Sequence, residues 1–124
     1  MTSAPKYNLE GRLIDFGVLI IKLVDRLPNT KAGNALGNQI VRSGTSPALN
    51  YGEAQGAESR NDFVHKFRIV LKELRETFVC LQLIKGAEIV DDKEFLNSLM
   101  TENNELIAIF VKSLETAGKK KSGE

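Results

Sequence analysis

The sequence predicts an all-α protein, built as an antiparallel up-down-up-down four-helix bundle. Apolar residues recur at steps of three and four along four segments, which is the spacing of one helix face. No segment has the strict alternation of apolar and polar residues that a half-buried strand shows. The chain of 124 residues has the length of one domain, and short connections make consecutive helices antiparallel neighbours.

The predicted bundle occupies residues 8–116. Residues 1–7 form an N-terminal extension, and residues 117–124 form a basic disordered tail. The expected core is an apolar stripe from every helix, made of Leu13, Phe16, Ile20, Leu36, Ile40, Phe67, Leu74, Phe78, Leu99, Leu106 and Phe110.

The first helix is expected from about Asn8, a good N-cap, to Leu27, just before Pro28. Besides its core stripe it carries a second apolar stripe on another face. A helix in an isolated bundle needs only one apolar face, so this second stripe indicates either a broad core contact or burial against another subunit. Its members are Ile14, Val18 and Ile21.

The second helix should run from near Thr30 to near Gly56, and its composition is unfavourable. Inside a helix Gly costs about 1 kcal/mol and Pro about 3 kcal/mol relative to Ala, so Gly44 and Pro47 need compensation from their surroundings. Pro47 predicts a kink near residues 43–47, with a break into two helices as the alternative.

A polar line runs beside the core face of the second helix. It is either a solvated flank or a hydrogen-bonded network at a subunit or helix junction, where it would satisfy carbonyls freed by the kink. Combined with the second apolar stripe, it suits a subunit contact in which the polar groups fix the register. The line consists of Gln39, Arg42, Ser46, Asn50 and Glu53.

The third helix begins after Ser59, which can cap it, and ends at Gly86. The face opposite its core stripe is basic, with Arg68, Lys72 and Arg75 at helical spacing.

The fourth helix starts near Asp91 or Asp92 and is expected to stop at Gly118. Asn103 interrupts its apolar stripe, which indicates a polar contact or local exposure. This helix is acidic while the third is mildly basic, so a ring of identical subunits would carry bands of opposite charge.

Composition gives little support to catalysis. His65 is the single histidine and is expected at the surface, while the single cysteine, Cys80, is expected to be a small buried hydrophobic residue in a reducing compartment. We therefore expect no enzyme activity, no metal and no cofactor. The start of the chain lacks the apolar core of a signal peptide, and no apolar run could span a bilayer. The expected location is the cytoplasm, without membrane contact.

The central third of the chain resembles the 23S rRNA intervening-sequence proteins, a family of four-helix-bundle proteins. The likeness covers about residues 8–115. It is carried by a Gln-x-x-Arg-Ser start, a small-residue break, an Asn and Glu pair, and a Phe-led helix with a Glu-Leu-x-Glu motif. The matching residues are Gln39, Arg42, Ser43, Pro47, Asn50, Glu53, Ser59, Phe63, Glu73, Leu74 and Glu76.

The resemblance implies a homopentameric ring of bundles. It also implies kinship with the accessory proteins of diversity-generating retroelements, which bind a reverse transcriptase and nucleic acid. This chain reads NYGEAQGAE where many members read closer to NIAEG.

Two function classes follow. The first is a non-enzymatic, oligomeric accessory module for RNA, DNA or a ribonucleoprotein, with Arg68, Lys72 and Arg75 as the nucleic-acid face. The alternative is a protein-interaction scaffold without nucleic-acid contact. A net charge of only +1 and the absence of interleaved exposed aromatic residues favour the alternative.

Overall fold

A computed structural model describes the backbone of residues 8–122 and the side-chain surroundings of residues 8–118. Within that range all regular structure is helical, which confirms the all-α prediction, and no strand occurs. The four helices are α1 (Leu9–Arg26), α2 (Lys31–Gln55), α3 (Arg60–Gly86) and α4 (Lys93–Ser122).

Each helix begins at a residue whose side-chain oxygen accepts a hydrogen bond from the backbone N–H three positions later. These bonds are 2.9–3.0 Å long. Each one satisfies a backbone donor that has no partner inside the helix. The four predicted helix starts are thereby confirmed, with Asn8, Thr30, Ser59 and Asp92 as the caps.

The helix ends agree less well with the sequence. α3 ends at Gly86 as expected, but α4 continues through Gly118 to Ser122, so the predicted stop at Gly118 is wrong. A left-handed residue commonly ends a helix; after α3 that residue is Glu88, with a φ of 57°, whereas Gly118 has no positive φ. Gly118 therefore remains an ordinary helical residue. Residues 1–7 and 123–124 lie outside the described part.

Consecutive helices pack side by side, and α1 also contacts α4. The pairing is antiparallel, because contacts join opposite ends of neighbouring helices. Arg26 at the end of α1 pairs with Asp92 before α4 at 3.1 Å. Arg60 at the start of α3 donates to the carbonyl of Ala117 in α4 at 2.9 Å.

The predicted core residues are all buried except two. Leu36 and Phe78 are half-buried. The face of α3 that points inward includes Leu74, Thr77 and Leu81, each fully buried, and this places Phe78 at the edge of the interior.

Close contact between α1 and α2 accounts for one of the unfavourable glycines. A Cβ on Gly44 would lie 2.7 Å from Cγ2 of Ile20, closer than two carbon atoms can approach. Gly44 therefore lets the two helices come together. Nothing lies within 4 Å of a Cβ on Gly52, and the structure does not explain that glycine.

α2 is continuous through Pro47, so the alternative of two separate helices is wrong. Hydrogen bonds from α2 side chains to its own backbone flank the proline. The Thr45 hydroxyl donates to the Val41 carbonyl at 2.6 Å, and the Asn50 amide donates to the Ser46 carbonyl at 3.1 Å. The kink itself stays a prediction.

Two polar contacts lie inside the core. The Thr77 hydroxyl is 2.9 Å from that of Ser43, which joins α2 to α3. The Asn103 amide nitrogen donates to the carbonyl of Leu74 at 3.0 Å, joining α3 to α4. The expected polar contact at Asn103 is confirmed, although its amide oxygen is buried without a partner.

Candidate nucleic-acid interface

The basic face of α3 consists of Arg68, Lys72 and Arg75, and it points away from the interior. All three side chains are exposed. Steps of four and three residues place them on one stripe of the helix, opposite the buried line of Val70 and Thr77. The structure therefore presents the three cations together, as the sequence predicted.

These three cations have no partner among the side chains that the structure describes. They form none of its ion pairs and none of its side-chain hydrogen bonds. A free guanidinium keeps its full set of donors, in a planar fork that matches a phosphate. The face is thus ready to accept an anion without breaking an internal contact.

Some other cations of the bundle pair with carboxylates of neighbouring helices. Arg12 of α1 bridges Glu102 at 2.6 Å and Glu105 at 3.0 Å, both on α4. The hydrogen bond that Arg12 donates to Glu102 is the main cause that raises the pKa of Arg12. Lys66 of α3 pairs with Glu53 of α2 at 2.6 Å. These pairs hold helices together and are not free for a ligand.

A shallow groove runs along the basic face. Its volume is about 290 Å³, and Leu71 lies on its floor between Arg68, Lys72 and Arg75. An apolar floor with cationic walls can take the ribose or base of a nucleotide while the arginines bind its phosphate.

A second cavity lies at the end of the same face, between the start of α3 and the last turns of α4. It has a volume of about 170 Å³. Arg68 lines both the cavity and the groove, so the two adjoin each other at this side chain. The cavity is lined by Arg60, Asn61, Val64, Arg68, Leu114, Ala117 and Gly118.

The second apolar stripe of α1 is exposed. Ile14 is 50%, Val18 43% and Ile21 45% accessible, so the bundle's own core does not bury them. Of the two alternatives, the broad core contact is wrong. Burial against another subunit stays a prediction.

The polar line of α2 pairs with α3 of the same chain. Arg42 reaches Glu73 at 3.1 Å and Glu76 at 2.5 Å, and its longer contact to Gln39 is 3.4 Å. Glu53 holds Lys66, and this hydrogen bond is the main cause that raises the pKa of Lys66. Arg42 and Glu53 therefore form a junction between α2 and α3 at the surface of the bundle, while Asn50 bonds to Ser46 within α2.

The apolar stripe and the polar line lie on different seams of the bundle. The stripe belongs to α1, which packs on the Gly44 side of α2. The polar line follows the other side of α2, which faces α3. The two do not combine into one patch of a single chain.

The remaining chemistry-bearing residues are isolated. His65 is exposed, as expected. Cys80 is a buried free thiol, as expected, and burial raises its pKa. No three His, Cys, Asp or Glu side chains cluster as a metal site within the described residues. Along the same stretch, no helix combines the length and apolar character that crossing a bilayer requires.

Sequence reasoning missed the cavity at the end of the basic face. Arg60 and Ala117 are 57 positions apart, and neither stands in a motif. The one available signal was the predicted antiparallel order, which brings the start of α3 beside the end of α4. Because the fourth helix was expected to stop at Gly118, the prediction placed the last turns of α4 outside the bundle.

The helical fold and the free basic face together define a four-helix protein with a candidate anion-binding surface. The family model of the 23S rRNA-intervening sequence protein matches residues 11–112, and the chain belongs to that family.

The chain is also similar to a solved structure, described as a protein of unknown function from the S23 ribosomal protein family of Bacteroides thetaiotaomicron. The two share 32% identity with a TM-score of 0.79, over 86% of this chain and 97% of the other. No curated protein matches the chain.

Proposed function

We propose that this protein is a non-enzymatic accessory module that binds the phosphate backbone of RNA through Arg68, Lys72 and Arg75. The observation that carries the proposal is that these three exposed cations share one helix face and have no internal partner among the described side chains. The family's description, which refers to an intervening sequence of 23S rRNA, supports RNA as the nucleic acid.

The local charge supports this function better than the net charge does. The chain as a whole carries only +1, so long-range attraction to nucleic acid is weak. Phosphate contacts act at short range and gain free energy by releasing counterions from the nucleic acid. Several copies of the face in one assembly would add their contacts and raise the affinity without a higher charge per chain.

The test is filter binding of a structured RNA at low and at moderate salt. Changing Arg68, Lys72 and Arg75 together to Gln should weaken binding and flatten the salt slope by about 0.7–0.9 for each phosphate that is no longer neutralised. A matched control variant changes three cations elsewhere to Gln, namely Lys22, Lys31 and Lys112, which are also exposed.

Both variants lose three positive charges, so a general electrostatic effect would weaken RNA binding by both variants equally. Binding abolished only in the α3 variant supports the proposal. Equal affinity and equal slope in the α3 variant and the unmodified protein would show that the face is only a solvated surface.

The same proposal includes self-association. Ile14, Val18 and Ile21 are exposed on α1, and Val79 and Leu83 are 55% and 54% exposed on α3. Two apolar patches on different helices suit a heterologous contact, in which one face of each copy meets another face of the next. Such contacts form a ring when the rotation from one copy to the next closes on itself, and the family resemblance sets the number of copies at five.

The partner and the location belong to the proposal as well. The family's kinship with retroelement accessory proteins makes a reverse-transcriptase-like protein, or DNA in place of RNA, a further candidate partner. The buried thiol of Cys80 suits the reducing cytoplasm.

The alternative function is a protein-interaction scaffold without nucleic-acid contact. The exposed apolar residues favour it, because Leu49 on α2 is 66% accessible in addition to the patches on α1 and α3. In that case the oligomer forms but does not retain RNA at either salt concentration.

A further inference from the structure

We infer that the cavity between the start of α3 and the end of α4 binds the terminal phosphate of a nucleic-acid strand, with the rest of the strand lying along the basic face. This inference rests on the proposed function. It specifies where the end of the strand binds and which end group is recognised, whereas the basic face alone binds backbone phosphates without preference.

The cavity offers two arginines to one ligand. Arg60 is held at one side, because its guanidinium donates to the carbonyl of Ala117 at 2.9 Å. Arg68 also lines the cavity and has no internal partner among the described side chains. Asn61 adds a polar side chain, and among the described residues no carboxylate lines the cavity. Two planar guanidinium groups can each bind a phosphate through paired hydrogen bonds.

The size of the cavity fits a phosphate group. A volume of about 170 Å³ is large against the roughly 10–15 Å³ needed for one water molecule. Residues of both α3 and α4 line the cavity, whereas the described lining of the groove comes from α3 alone, so the cavity is the more enclosed of the two.

The presence of two arginines in one cavity favours a terminal phosphate over an internal one. An internal phosphodiester is followed by a nucleoside on both sides and suits the open groove at Lys72 and Arg75. A terminal phosphomonoester carries about −1.5 to −2 charges at pH 7 and presents three acceptor oxygens. It therefore matches a site with two cations better than a singly charged internal phosphate does.

A strand bound in the cavity would continue along the basic face. Because Arg68 lines both cavity and groove, a strand that leaves the cavity meets Lys72 and then Arg75. Fifteen residues of helix separate Arg60 from Arg75, which is about 22 Å at 1.5 Å per residue. At about 3.4 Å per nucleotide along one strand, this length serves about six nucleotides.

The experiment compares one RNA in three forms, with hydroxyl groups at both ends, with a 5′-monophosphate, or with a 3′-monophosphate. At least one phosphorylated form should bind about tenfold more tightly than the hydroxyl form, since a charge-assisted hydrogen bond contributes on the order of 1.5–3 kcal/mol. The preferred end gives the direction of the strand on α3.

Three variants locate the effect. Arg60→Gln should bring the ratio of the two affinities close to one. Ala117→Leu keeps every charge but fills the cavity, and should also remove the preference. Arg75→Gln is the matched control, because it should weaken all forms while the ratio stays near tenfold. Circular dichroism and melting curves confirm that each variant is folded.

The outcomes separate the two proposals. Equal binding of all three forms, with strong salt dependence, overturns the terminal site and leaves the proposed function standing. A preference that survives in both Arg60→Gln and Ala117→Leu also overturns it. If no form binds, the proposed function fails and this inference fails with it.

Discussion

The close approach of α1 and α2 at Gly44 leads to a prediction about stability. In Gly44→Ala the new Cβ would lie 2.7 Å from Cγ2, 2.8 Å from Cγ1 and 3.0 Å from Cβ of Ile20. Ile20 is fully buried, and a β-branched side chain in a helix has one strongly preferred rotamer. The contact can only be relieved by moving the helices apart.

The magnitude follows from two opposing effects. Replacing Gly by Ala inside a helix gains about 1 kcal/mol, while adding a carbon to a filled interior costs about 1–3 kcal/mol. Gly52→Ala is the matched control, because nothing lies within 4 Å of its Cβ and only the gain applies. The two variants should differ by about 1–3 kcal/mol, with Gly44→Ala the less stable.

Urea unfolding followed by circular dichroism measures this difference. With a slope of about 2 kcal/mol per molar urea, a difference of about 2 kcal/mol separates the two midpoints by about 1 M. Protein concentration has to be the same in both experiments, because self-association would stabilise the folded state. If Gly44→Ala gains as much stability as Gly52→Ala, the tight helix contact is refuted.

Three further outcomes are expected. Leu74→Ala should lower the free energy of unfolding by about 2–5 kcal/mol, and an unchanged melting curve would contradict its place in the core. If the protein forms a ring, Val18→Glu should give smaller species in light scattering while its helix content stays unchanged. Leu49→Glu is the control on another face. A monomeric unmodified protein would already refute the ring. The hydrogen bond from the Phe95 backbone N–H is the main cause that lowers the pKa of Asp92. The stability that the ionised Asp92 carboxylate contributes is therefore present above the usual carboxyl range and is lost as the pH falls from about 5 toward 2. Asp92→Asn keeps a cap and should lose less stability over this pH range, as measured by urea unfolding.

Local rules predicted most of the fold. Caps such as Asn8 and Ser59 act within three residues, so the sequence contains all the information that sets a helix start. Core positions followed from periodicity because one helix face is enough to define them. Phe78 was placed in the core from spacing alone, and only the packing angle of α3 against its neighbours moves it to the edge.

The site depended on relations that span the whole chain. The basic face could be predicted from α3 alone, since Arg68, Lys72 and Arg75 share one helix. The sequence could not predict whether these three side chains are free of ion pairs, because pairing depends on which acidic residues of other helices lie near them. Arg42 looks as available as Arg68 in the sequence, yet Glu73 and Glu76 occupy it.

The buried amide of Asn103 determines how the bundle can move. A slide of α4 along α3 by one helical turn, about 5.4 Å, would take its nitrogen away from the Leu74 carbonyl and leave that nitrogen, like the amide oxygen, without a partner in an apolar interior. Leaving such groups unpaired costs about 1–3 kcal/mol each. Shear between these two helices therefore carries a free-energy cost that an all-apolar contact would not have, and Asn103 favours one register of α4 on α3.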